Sequence, residues 1–393
     1  MEASIPEQVI QPLLLASDSS HSLEECLQFL IESSKTDSGR IDLASKADIL
    51  PSILALLQLL PYPSSRHHLN LSLKVLRNLC AGETRNQEAF VDHNGSLVIS
   101  ELLDSAIGDA ETVRFGLQVL ANVVVMGENR QRDVWLRFFP ERFLAIAKVR
   151  RLETCDPLCM ILYVCFDGSS EIASQLSSDE GLSIIAETMR AVGSVEYYWL
   201  KLLVSRLCVE GDCFPGLFSK LANHKDSTFT SEHAFLLSMV SDIVNERLKE
   251  VSIPKDTAHF VLGLLNQSVQ VFDFASAERS ELPTGSAVID VMGYSLVVIR
   301  DACAGGSLEE LKNDSSGGNV DMLLSSGLIE LLLDLLRKLE PPTTIKKALK
   351  QSPTDEKYFE GVAYRHPSSP PRASENLRRG TSTVEPVFKT VSN

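Results

Sequence analysis

Cysteine and histidine are the side chains best able to do chemistry at neutral pH, and here they come in close groups. Cys155-x3-Cys159 and Cys208-x4-Cys213 are two short pairs, with His224 and His233 downstream of the second. A zinc site needs four ligands, commonly with a second CxxC or an HxxxH, and neither pair has one. Cys159 and Cys208 fall on the core-facing side of long helical stretches, where Cys serves as a small hydrophobe. His67-His68 leads into such a stretch and reads as a capping or solvated pair. Gly293-Tyr294-Ser295-Leu296-Val297 fails the Gly-x-Ser-x-Gly elbow at its last position and lies inside a helical pattern. Gly305-Gly306 and Gly317-Gly318 have no Lys-Ser/Thr after them and no strand before, so they cradle no phosphate. The pairs Glu24-Glu25 and Glu309-Glu310 read as solvated faces of an acidic chain. The reading is of a chain with no catalytic residues, no metal and no cofactor.

Amides are left. Asn78 and Asn122 occupy matching points of a motif that returns about every 42 residues. Leu76-Arg77-Asn78-Leu79 is followed 44 residues on by Leu120-Ala121-Asn122-Val123, then by Leu162-Tyr163-Val164-Cys165 and Val204-Ser205-Arg206-Leu207. A distant copy, Ile299-Arg300-Asp301-Ala302-Cys303-Ala304-Gly305, repeats Leu76 to Gly82 at an offset of 223, roughly five armadillo/HEAT periods. Apolar residues recur at helical spacing within each copy, as Leu73, Leu76 and Leu79 do. The Gly closing the first and last copies marks where a helix stops. One such unit cannot cover its own apolar face, but stacked units can. The expected fold is all-α, an armadillo/HEAT-like solenoid of about six or seven units with a disordered C-terminal tail.

Composition agrees. Of 393 residues 44 % are hydrophobic and only 6 % aromatic, which suits helix-on-helix packing. The net charge is −15, and from Arg337 onward 11 Lys and Arg face 6 Asp and Glu, leaving the preceding body at −20. An acidic body argues against nucleic-acid binding. No apolar run approaches a membrane span, and the N-terminus lacks the basic region of a signal peptide. The eight Cys are then expected reduced, in a cytoplasmic setting.

Along the chain, residues 1–38 read as N-terminal capping helices, with Ser22 and Glu25 as a capping box. Residues 39–210 read as armadillo-like repeats, with Pro140 and Pro157 at helix starts, and residues 211–284 as irregular helical repeats. Residues 285–340 read as an incomplete C-terminal region, in which Ser286 to Ala304 restores the signature and Val320 to Leu339 supplies the first two helices of one more unit. Residues 341–393 hold seven of the 17 Pro and no period, and read as disordered.

The stretches RNLCAGETRNQEAF (77–90), VVIRDACAGG (297–306) and SSGLIELLLDLL (325–336) resemble the ataxin-10 family. The resemblance covers about residues 40–340. It implies a cytoplasmic, non-enzymatic adaptor, with contacts in cell division and signalling and a tendency to self-associate. Chains of that family continue with further apolar helices, whereas here Tyr358-Phe359-Glu360-Gly361-Val362 leads into a polar tail, so the C-terminal domain reads as incomplete.

Four expectations follow. Lys74, Asn78, Gln118 and Asn122 should form an exposed strip on adjacent long helices, offering amides to an extended segment of a partner protein. Lys74 and Gln118 stand where importin-α-like proteins carry Trp, which argues against a transport receptor for basic peptides, but the acidic body keeps that receptor as the alternative reading. Leu332, Leu335 and Leu336 should form a self-association patch, the 328–339 helix being covered on one side by Ser286–Ala304. Ser352-Pro353 and Ser369-Pro370 are candidate phosphosites in the tail, where phosphate would weaken docking onto the acidic body.

Overall fold

The helix that sets the pattern, α5 (Arg66–Leu79), buries Leu69, Leu73, Leu76 and Leu79, residues three or four apart on one side of the helix. Shortly after its end Gly82 takes φ +72°, a conformation that releases the chain into the next unit. Around it the computed structural model describes residues 5–17, 22–193, 197–222, 229–247, 253–272, 283–304 and 318–338. The candidate phosphosites, the tail from 341, His224 and the Gly305-Gly306 and Glu309-Glu310 pairs lie outside the described residues.

Among the described residues every regular element is a helix. Two come first, α1 (Glu7–Leu15) and α2 (Leu23–Ser33). The second opens on a capping box, with Glu25 N donating to Ser22 Oγ and Ser22 N to Glu25 Oε2, both at 3.2 Å. Triplets follow. The first is α3 (Asp37–Ala44), α4 (Ile49–Leu59) and α5. The second is α6 (Thr84–Asp92), α7 (Gly95–Ser105) and α8 (Ala110–Val124). The third is α9 (Glu128–Phe138), α10 (Glu141–Lys148) and α11 (Leu152–Gly168). The fourth is α12 (Ser170–Leu176), α13 (Asp179–Val192) and α14 (Tyr198–Val204), which runs on through a π-helical turn, Ser205–Val209. Then come α15 (Phe214–Leu221), α16 (Ser231–Glu246), α17 (Lys255–Val271), α18 (Pro283–Ala304), α19 (Asn319–Ser325) and α20 (Leu328–Lys338).

Two layers result. Third helices stack in the order α2, α5, α8, α11, α14, α16, α18. In the second-helix layer α1 packs on α4, α4 on α7, α10 on α13, α13 on α15, α15 on α17 and α17 on α20. Side-chain hydrogen bonds between layers of one kind repeat at the unit length, as between Thr112 and Asn70, 42 apart, and Arg247 and Ser205, also 42 apart. One apolar core runs continuously from Val9 to Leu335. The chain is an all-α solenoid.

Two expectations change. Pro157 lies inside α11, five residues past its first, rather than at the start. The α20 helix packs on α17 and α19, not chiefly on α18, because it holds the second-helix place of its unit and stacks on the preceding second helix. Lys338 Nζ ties its end to Val269 O at 2.6 Å.

Leu120, 0 % exposed in α8, fills the seam between units. Leu120→Ala should cost about 2–5 kcal/mol in chemical denaturation, and Leu15→Ala, at a residue 78 % exposed, within about 0.5 kcal/mol of nothing. Equal costs at the two sites would show the seam to be poorly packed.

Candidate partner-binding surface

The long helices α5 and α8 place Lys74, Asn78, Gln118 and Asn122 on neighbouring turns, and all four are half-buried rather than exposed. Asn78 Nδ2 donates to Ile31 O at 3.3 Å and to Ser34 Oγ at 3.2 Å. Asn122 Nδ2 donates to Arg77 O at 2.8 Å. Each amide therefore reaches back one unit along the stack. The four side chains are thus less open than expected, because a carbonyl of the preceding helix end comes within reach of Asn78 and of Asn122. Gln118 Oε1 accepts from Arg77 Nη1 at 3.2 Å, and Asn78 Oδ1 accepts from Arg77 Nε and Nη2 at 3.2 and 3.0 Å.

Sequence reasoning missed the centre of this surface, Phe115. The ring is buried, with Lys74 Nζ 4.6 Å, Arg114 Cζ 4.7 Å and Arg77 Cζ 5.9 Å from its centroid. Burial and the neighbouring Arg114 charge hold the Arg77 guanidinium below its ordinary value. Farther along, the register of Asn78 and Asn122 carries different chemistry. Val164 is half-buried there, and Tyr163 meets Trp199 with ring centroids 5.7 Å apart. Arg206 pairs with Asp167 at 2.7 Å and with Glu210, which also pairs with Arg247.

The chemical candidates resolve into structural parts. Cys159 and Cys208 are buried, and burial pushes both thiols well above their ordinary range. Cys155 is pushed up to about 12. Such thiols stay protonated and make poor nucleophiles or ligands. His233 is buried against Phe218, its Nδ1 accepting from Thr230 N and its Nε2 donating to Phe218 O, each at 3.0 Å. Burial lowers its pKa, in keeping with a neutral ring that closes a helix cap. His67 Nε2 lies 3.1 Å from Glu24 Oε1 in the preceding unit. Ser295 is buried within α18. Among the described residues no His, Cys, Asp and Glu gather in threes to hold a metal.

At the C-terminal end, α20 buries Leu328, Leu331 and Leu335 against its neighbours, Leu335 being 4 % exposed. Leu335 therefore leaves the expected patch: with Leu328 and Leu331 it makes the stripe that faces the stack. Leu332 is half-buried. The open apolar side is Ile329, Leu333 and Leu336, exposed 51 %, 48 % and 62 %.

Asp156, half-buried on α11, has no hydrogen bond or ion pair among the described residues. Burial raises its carboxyl above the ordinary 3.8. The folded state then holds the proton more tightly than the unfolded one. The resulting stabilisation is present below pH 3.8 and is lost as pH rises through the folded pKa. Asp156→Asn should accordingly melt higher than the natural chain at pH 7, with the gain vanishing in melts near pH 3.5. A variant that melts lower at pH 7 would show that the carboxylate has a stabilising partner.

No protein-family model matches the chain, and neither does any curated protein sequence. Solved structures do. The designed armadillo repeat protein YIII(Dq.V1)4CPAF in complex with peptide (KR)4 is 15 % identical, covering 60 % of this chain and 99 % of its own, with a TM-score of 0.41. A second designed armadillo repeat protein, YIII(Dq)4CqI, is 11 % identical over 76 % of this chain and 100 % of its own, at 0.41. An engineered protein is 16 % identical over 84 % of this chain and 77 % of its own, at 0.45.

Proposed function

We propose that the chain is a non-enzymatic adaptor of the ataxin-10 type, cytoplasmic, serving protein contacts in cell division or signalling. It would hold an extended segment of a partner along its layer of long helices. The observation that carries this reading is the set of polar, half-buried side chains Lys74, Asn78, Gln118 and Asn122 on successive long helices. Asn78, Gln118 and Asn122 are held in place by bonds to the preceding unit, as Asn122 is by its bond to Arg77 O, and so are pre-organised for an incoming segment. The Tyr163–Trp199 pair extends the same layer with aromatic surface. Among the described residues no helix is long and apolar enough to cross a membrane. The alternative, a receptor for basic peptides, sits poorly with three cations clustered on this surface.

Trp199 is the natural reporter, since Trp135 is buried and bonded to Gln175 Oε1 at 2.6 Å. In a Trp135→Phe background, octapeptides selected from a randomised array should shift Trp199 emission. Gln118→Ala should weaken them about three- to tenfold, the worth of a hydrogen bond or so. Binding untouched by Gln118→Ala and silent at Trp199 would place the contact elsewhere and overturn the reading.

Self-association belongs to the same proposal, through Ile329, Leu333 and Leu336. An antiparallel second copy of α20 would set Glu330 of one chain beside Arg337 of the other while covering these side chains. Sedimentation at tens of micromolar should show a dimer that Leu333→Glu with Leu336→Glu returns to monomer. A monomeric natural chain would remove the idea.

A further inference from the structure

Long-helix cations in this acidic chain generally find carboxylates one unit away or nearby. Arg66 pairs with Asp109 and Glu111, Lys201 with Glu246, and Arg206 with Asp167 and Glu210. Lys74, Arg77 and Arg114 break the habit. Among the described residues none of them has a carboxylate partner, though all three converge on the Phe115 ring. Arg77 is anchored by neutral amides alone, those of Asn78 and Gln118. Lys74 and Arg114 make no hydrogen bond among the described residues, and Arg114 Nε is a buried donor left unmatched. An aromatic face attracts each cation but leaves the three positive charges facing one another without an anion between them. An unspent donor and an unneutralised charge at one place make an anion subsite.

We propose that Lys74, Arg77 and Arg114 take two carboxylates of an acidic, extended segment in a partner protein. The proposal rests on the groove reading above and names the chemistry of its occupant. Lys74 Nζ and Arg114 Cζ lie 4.6 and 4.7 Å from one centroid, hence less than about 9.3 Å apart. Alternate residues of an extended chain point to one side about 7 Å apart, a spacing that falls within this bound and suits Glu-x-Glu. Lys74 and Arg77 lie in the C-terminal half of α5, and Arg114 is the fifth residue of α8, past its first turn. The cations are carried by side chains, whose N–H groups pair with carboxylates at charge-assisted hydrogen-bond distance, and phosphate is the competing anion that the test includes.

The test uses the full chain and three fluorescent octapeptides, (Glu-Ser)4, (Lys-Ser)4 and (Gly-Ser)4, at about 0.15 M salt, where the acidic body is screened beyond roughly 8 Å. Anisotropy should show (Glu-Ser)4 binding most tightly. Lys74→Gln with Arg114→Gln should weaken it at least about tenfold, at an unchanged melting temperature. Lys74→Arg with Arg114→Lys, which keeps both charges, should retain binding. Arg132→Gln, at an exposed cation on α9 away from the ring, should change nothing. Preference for (Lys-Ser)4 or (Gly-Ser)4 would overturn the acidic assignment and leave the groove reading standing. Failure of all three peptides would overturn both. Displacement of (Glu-Ser)4 by equimolar inorganic phosphate would overturn the carboxylate assignment.

Discussion

Everything in this molecule depends on the seam between one long helix and the next. A single triplet leaves the apolar side of its third helix uncovered, and only the neighbouring third helix can cover it. Apolar packing alone is tolerant of sliding, so the register must be fixed by something directional. Polar side chains do this at the seam. Asn70 Oδ1 accepts from Thr112 Oγ1 at 2.7 Å, Asn122 reaches Arg77 O, and Gln87 Nε2 bonds both Cys80 O and Asn122 O. A slip of one turn would strand these groups in the interior, at about 1–3 kcal/mol each.

The same seam explains which parts of the molecule were legible in the sequence. The period was legible because Leu76, Leu79, Leu120 and Val123 must all face neighbours, and a burial requirement repeated at equal spacing leaves a visible trace. Ser22 and Glu25 were legible because a capping box is local. The direction of Asn78 and Asn122 was not. Helical spacing shows that both stand beside the apolar stripe, but whether a carbonyl lies within reach depends on the neighbouring helix. Leu335 and Leu333 are indistinguishable by type, and only the place of α20 in its unit decides that one is covered and the other is not. Phe115 was hidden for a related reason: it is an ordinary core residue until cations from a second helix arrive above it.

The less regular middle has a physical account as well. The π-helical turn Ser205–Val209 widens the fourth long helix where the repeat signature fades, and Glu210 just beyond it collects Arg206 and Arg247 from two successive units. Burial raises the cost of an unpaired carboxylate, yet Glu210 is held below its ordinary value because two guanidinium partners outweigh that cost. Aromatic packing takes over the role that regular Leu spacing plays upstream, with Phe214, Phe218, Phe229, Phe260 and the His233 ring in one cluster. The hydrophobic period weakens here while the stack continues.

Because each unit bonds to the next at intervals near the repeat length, tension applied to the two ends passes through the seams in series. Deformation then divides among them, and the array behaves as a spring whose softest coil yields first. A ligand lying across α5 and α8 would splint one such coil and stiffen it against bending. The curvature of the whole rod would thereby be coupled to occupancy at a single point along it.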